Sequence, residues 1–188
     1  MLGSDGSGST SKVLSGIVWT ISNSMTGGRS PRKSVVNMSL GGSFSRAINR
    51  AVEAAAAQGL TFVVAAGNDG QDASGYSPAS SPHAITVGAT QPGDGRASYS
   101  NYGSVVDVFA PGTRIMSTWN TSPSAVNVLS GTSMACPHVA GLAAYLITQE
   151  GLSGPAEVSA RIKELSQHGI VADPGPGSPN AFAWNGAD

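Results

Sequence analysis

Residues 34–66 read SVVNMSLGGSFSRAINRAVEAAAAQGLTFVVAA, and this run decides the fold class. It opens with an apolar, β-branched stretch over residues 34–40 that ends at Gly41 and Gly42. From Ser43 onward Phe44, Ala47, Ile48, Ala51, Val52 and Ala55 recur at helical spacing. Gly59 stands where a helix-terminating glycine belongs, and residues 60–66 form a second apolar stretch. Neither stretch alternates with polar residues, so each is expected to be buried on both faces, as in a parallel sheet covered by helices.

The same alternation continues in both directions. Upstream, Ser9, Thr10 and Ser11 can cap a helix over residues 12–21, with Val13, Ile17 and Ile21 on one face. Downstream, strands are predicted over residues 84–89 and 105–110, the second ended by Pro111 and Gly112, with a shorter run over 113–118. Helices are predicted over 132–148 and 155–167. The Pro- and Gly-rich stretch 173–188 reads as a surface extension of a single α/β domain.

Composition narrows the function classes. Charged residues make up only 11% of the 188, and the net charge of −1 gives no long-range attraction to nucleic acid or anionic lipid. The longest apolar run, residues 139–147, is too short to span a bilayer. The single cysteine, Cys136, excludes an internal disulfide. No basic and apolar leader follows Met1, so no signal peptide is visible in this chain.

Three polar clusters fall at strand ends, where open α/β sheets bind ligands. They are Ser39-Leu40-Gly41-Gly42, Gly67-Asn68-Asp69-Gly70, and Ser130 through Ala135. Ser133 falls at the start of a predicted helix, where its free N–H and the helix dipole favour negative charge. A hydroxyl there can attack a carbonyl while its own N–H stabilises the oxyanion. Equally, Thr132 or Ser133 can serve simply as the helix cap. Pro137 lacks the N–H that would bond the Ser133 carbonyl. The Asn68 amide can donate into a cleft as a second oxyanion donor, or it can belong to a plain Asn-Asp-Gly turn. The Ser39 to Gly42 cluster can pair with a substrate backbone, or can be an ordinary strand-to-helix turn.

Taken in order, five segments change that balance: VVNMSLGG (35–42), FVVAAGNDG (62–70), YSPASSPHAITVGA (76–89), SNYGSVVDVFAPGT (100–113) and LSGTSMACPHVAGLAAYL (129–146). Together they resemble the subtilisin-like serine proteases, most closely the proteinase K branch. GSDGSGSTS (3–11) and GSPNAFAWN (177–185) are similar to that branch as well. The resemblance implies a three-layer α/β/α catalytic domain with a mainly parallel sheet. It implies Ser133 as the catalytic serine and Asn68 as the side-chain oxyanion donor. Ser39, Leu40, Gly41 and Gly42 would form one substrate-binding cleft strand, and Gly6, Ser7 and Gly8 the opposite one. Ala65, Ala66 and Gly67 would wall the primary specificity pocket. A structural calcium would take the Pro82 and Ala84 carbonyls and the Asp107 carboxylate. No cofactor is implied for catalysis. The substrate would be a polypeptide, with apolar or aromatic side chains preferred, and the setting extracellular.

The family's Asp and His motifs, which precede its serine, have no match in the chain. In subtilisin itself, loss of the histidine alone lowers turnover about two-million-fold. His138 lies on the helix of Ser133 but faces elsewhere, while His83 and His168 sit near a loop and a helix end. None is expected to act as a base. The chain is therefore read as the C-terminal part of a catalytic domain, from a truncated gene model, a proteolytic fragment or an engineered piece. Alone it is expected to be near-inactive and to uncover apolar surface, its natural complement being the missing N-terminal part. The alternative is a non-catalytic module that binds extended peptides. An α/β-hydrolase elbow is excluded, because it needs glycine two residues after the serine and Ala135 stands there.

Overall fold

The computed structural model describes residues 2, 3 and 6–187. Met1, Ser4, Asp5 and Asp188, which belong to the expected domain ends and the opening motif, lie outside the described residues. The chain runs through helix α1 (Thr10–Ser24), strands β1 (Val35–Met38) and β2 (Gly42–Ser43), then α2 (Arg46–Ala57) and β3 (Thr61–Ala65). Strands β4 (Tyr76–Ser77), β5 (Ala84–Thr90), β6 (Val108–Pro111), β7 (Ile115–Thr118) and β8 (Val126–Leu129) follow. Helices α3 (Thr132–Glu150) and α4 (Pro155–Leu165) lead into β9 (Gln167–His168) and β10 (Ala181–Phe182). The main sheet has the order β1-β3-β5-β6-β10-β9, parallel except for the β10–β9 pair.

Side-chain alternation along β3 divides the core. Val63 and Ala65 face α3 and α4, packing with Ala135, Val139, Leu146, Val158 and Ile162. Phe62 and Val64 point the other way, onto Val13 and Ile17 of α1 and Ile48, Val52 and Ala55 of α2. All five β3 residues are buried, as a strand covered on both faces requires. The expected three-layer α/β/α architecture is therefore the observed one.

Several boundaries differ from the sequence reading for identifiable reasons. The Ser9 hydroxyl accepts from Lys12 N, so α1 starts earlier than expected and runs on to Ser24. Helix α2 begins at Arg46 because Gly42–Ser43 is drawn into antiparallel pairing with Tyr76–Ser77, and Ser45 then caps the helix. Phe44, expected on the core face, is 59% exposed. Strand β6 starts at Val108 rather than 105, because Val106 N closes a turn on Gly103 O and Asp107 brackets Thr86. Residues 113–118 become one arm of the β7–β8 hairpin, whose second arm was not anticipated.

The largest correction concerns residues 173–188. Part of it enters the sheet while residues 184–187 stay exposed: Phe182 pairs with Phe109 of β6, Ala181 with His168 of β9, and Ala181 is buried. Asn180 fixes it by accepting from Val171 N and donating to Val171 O, both at 2.9 Å. Ser178 Oγ accepts from Gly103 N at 2.7 Å. Pairing of β9 also ends α4 at Leu165, short of the expected 167.

Cys136 lies on the buried face of α3, where its thiol donates to Val63 O at 3.2 Å. Burial pushes its pKa up to about 12 against the smaller opposing effects of Ser39 and Met38. The neutral thiol is the form the fold favours. Its stabilisation is complete below about pH 9 and is lost as pH rises toward 12. Iodoacetamide at pH 8 should leave Cys136 unmodified in the native protein and alkylate it only after denaturation, as peptide mass spectrometry would read. Asn180→Ala should cost about 1–3 kcal/mol in urea unfolding, since it strands a backbone donor and acceptor. A loose extension would lose no more than about 0.5 kcal/mol.

Candidate active site

Ser133 lies in the first turn of α3, and Gly131, not a hydroxyl side chain, is the N-cap. Neither Thr132 nor Ser133 caps the helix, so that reading of the pair is corrected. The cap comes from across the sheet: Asn68 Oδ1 accepts from Thr132 N at 2.8 Å and from Thr132 Oγ1 at 3.0 Å. Thr132 Oγ1 in turn accepts from Gly67 N at 3.2 Å. The amide oxygen is thus fully used, which fixes the amide plane, and among the described residues nothing engages Nδ2. Ser133 N has no intrahelical partner at this position in a helix. A point one carbon out from Gly131 Cα lies 3.6 Å from Asn68 Oδ1 and 3.7 Å from both Asn68 Nδ2 and Ser133 N. The Asn68 amide and the Ser133 backbone N–H thus both lie near Gly131, beside the serine.

The Ser133 carbonyl, which Pro137 leaves without its usual helical donor, accepts from Ser39 Oγ at 2.8 Å. Ser133 Oγ donates to Ser39 O at 3.3 Å. The two serines tie the start of α3 to the end of β1.

A pocket of about 270 Å³ opens beside this contact. Leu40, Gly41 and Gly42 form one wall, Ala65, Ala66 and Gly67 the other, with Tyr76 and Ala79 deeper in and Asp69 also lining it. Asn101, fully buried, shapes the turn: its Nδ2 donates to Ala66 O, and its Oδ1 accepts from Asp69 N and Gln71 N, each at 3.0 Å. A side chain at Gly67, whose φ is +106°, would place its Cβ 2.3 Å from Asn101 Nδ2. Partial burial first, and the Asp69 carboxylate second, raise the pKa of the Tyr76 phenol.

A longer groove of about 710 Å³ has Gly6, Ser7 and Gly8 on one side and Ser39, Leu40, Gly41 and Gly42 on the other. The residues predicted for the cleft and pocket thus line two cavities that share Leu40, Gly41 and Gly42, and Ser133 and Asn68 line the smaller one. Sequence reading missed Asn101 and the bridging role of Thr132. The run 100–113 containing Asn101 was visible, but nothing in it announced which loop the side chain would hold.

The histidines stand apart from the serine. His138 Nδ1 bonds Met134 O at 2.8 Å, and His83 Nε2 lies 3.8 Å from Glu53 Oε1. His168 belongs to β9, not to a helix end. Among the described residues no imidazole hydrogen-bonds Ser133 Oγ.

Pro82, Ala84 and Asp107 also come together, around a cavity of about 250 Å³. Asp107 Oδ2 accepts from Thr86 N at 2.7 Å, and Oδ1 lies 2.6 Å from Lys163 Nζ. No group of three or more His, Cys, Asp or Glu suited to a metal occurs among the described residues.

Comparison with known proteins meets the same fold and sequence pattern. The Subtilase family profile matches residues 1–184. The chain is 55% identical to alkaline protease 1 of Aspergillus clavatus over 96% of its own length and 44% of that protein's. It is 57% identical to subtilisin-like protease 2 of Pseudogymnoascus destructans over 99% of its length and 45% of that protein's. It spans less than half the length of these curated relatives. Among solved structures, a cold adapted subtilisin-like serine proteinase superposes with a TM-score of 0.91 at 41% identity, covering 100% of this chain and 66% of that one. Family profile, curated relatives and solved fold agree, and this chain is a member of the subtilase family.

Proposed function

We propose that Ser133 is the nucleophile of a peptide-bond hydrolase and that its Oγ forms an acyl-enzyme with the scissile carbonyl. The observation that carries this reading is a pair of N–H groups near Gly131 beside the serine: Asn68 Nδ2, whose partner oxygen is taken up by Thr132, and Ser133 N at the helix start. As Oγ bonds to the carbonyl carbon, the carbonyl oxygen takes the electron pair and the charge, stabilised by the two N–H groups; on collapse the C–N bond breaks and the amine leaves with the proton that came from Oγ. The groove between residues 6–8 and 39–42 would hold the substrate as an extended strand, with glycines allowing close backbone approach. The apolar walls of the pocket suit an apolar or aromatic side chain.

The proton on Ser133 Oγ needs an acceptor. Among the described residues Ser133 Oγ hydrogen-bonds the Ser39 carbonyl, which holds the hydroxyl but takes no proton. In this reading the base comes from a complementary segment bearing the family's Asp and His motifs, and the isolated chain turns over very little. The edges of the chain support such a complement. Strand β1 pairs only with β3 among the described residues. Val18, Trp19, Met116, Val126 and Tyr145 are large apolar side chains from 47% to 70% exposed. An unpaired strand edge and apolar patches of this kind are surfaces that proteins normally cover. An extracellular setting belongs to the same proposal and rests on family resemblance.

Fluorophosphonate labelling tests the reading. Ser133 should label rapidly when the complementary N-terminal segment is present and at a small fraction of that rate, under about one-thousandth, without it. Ser133→Ala should not label in either case. Rapid labelling of the isolated chain would show a base within it, whereas no labelling with the complement would favour the peptide-binding module. In the active assembly, Asn68→Ala should lower kcat by about 10²–10³ with little change in KM, the cost of losing one oxyanion donor in subtilisin.

A further inference from the structure

The carboxylate that family resemblance assigns to calcium already holds a cation belonging to the chain. Lys163 extends from α4 and sets Nζ 2.6 Å from Asp107 Oδ1. The second carboxylate oxygen accepts from Thr86 N, and Asp107 N donates back to Thr86 O at 2.9 Å. Both oxygens therefore have partners. The Asp107 side chain is 19% exposed, a partly sheltered place just before the start of β6, while Lys163 is half-exposed.

Without that ammonium the cavity would offer a divalent ion one carboxylate and the Pro82 and Ala84 carbonyls, the rest coming from solvent. Calcium takes six to eight oxygens, and its affinity rises with the number of charged ligands. Asp107 is the one carboxylate of its cavity, whose other lining groups are Ser80, Ser81, Pro82, Ala84, Ser104 and Val105. Glu53 of α2 lies 3.8 Å from His83 in an adjoining cavity that Lys163 also lines. A dication at Asp107 would meet a resident ammonium and would have to displace it. The residues present thus do not fit calcium while Lys163 holds this position.

We propose that Lys163 is the structural cation of this site: its ammonium takes the place of a divalent ion and joins α4 to β5 and the start of β6. Being part of the chain, it is present at a fixed high local concentration and needs no supply from solution. The stability of this region is then independent of calcium but weakened by salt, since Lys163 is half-exposed.

Thermal unfolding of the full-length protein in millimolar calcium and in EGTA tests this independently of Ser133 chemistry. Wild type and Asp107→Asn should show the same calcium response, because any sites elsewhere contribute equally to both. Lys163→Gln should melt roughly 2–5 °C below wild type in EGTA and regain part of that in calcium, as Asp107 becomes free to bind it. Lys163→Arg should behave as wild type. A calcium-induced rise in wild type that Asp107→Asn removes would overturn the proposal. So would a Lys163→Gln variant whose melting in EGTA matches wild type, or which gains no calcium response beyond that of wild type. The comparison of Lys163→Gln with wild type stands even if Asp107→Asn fails to fold.

Discussion

The side chain of Asn68 caps a helix that begins 64 residues later in the chain, and the site depends on that one contact. Its Oδ1 satisfies the first N–H of α3 and the Thr132 hydroxyl together. A helix start is normally capped by the residue just before it. Here that residue is glycine, so the cap is supplied by the loop after β3. Helix and loop can therefore reach their positions only together. The amide that results is held rigidly, its oxygen turned toward the helix and its nitrogen left for other use.

A second lock runs between β1 and the same helix. Pro137 removes one rung of the helical ladder, and the Ser39 hydroxyl takes up the carbonyl left over. Proline within a helix usually costs stability and bends it. In this case the lost rung is replaced by a bond that fixes Ser133 against the cleft strand. Beneath, Cys136 packs on β3, so the first turns of α3 are held on the sheet side as well. The nucleophile thus stands on a helix start restrained from three directions, as a precisely aimed group requires.

Sequence periodicity carried the main architecture because its signals are long. The stretch 34–66, the buried β5 and helices α3 and α4 all extend far enough for apolar spacing to identify them. The two-residue strands β2, β4, β9 and β10 are too short to leave any period, and their pairing partners are distant in sequence. Composition was an incomplete guide after residue 173, where a Gly- and Pro-rich turn delivers the short β10 into the sheet before the exposed residues 184–187. At the site, Ser133 and Asn68 were legible because ordered motifs frame them. The roles of Asn101 and Lys163 were not, because each acts through a partner that only the folded chain brings near.

The place of β10 bears on how the molecule comes into being. This strand lies between β6 and β9, so the lateral hydrogen bonds of β6 on that side wait for residues made long after β6 itself. A nascent chain leaving the ribosome carries β6 with one flank open throughout synthesis of both covering helices. Parallel pairings of such long sequence separation form slowly and leave strand edges exposed meanwhile. Closure of the sheet is therefore a late event in biogenesis, and the interval before it is when the polypeptide most needs protection from its neighbours.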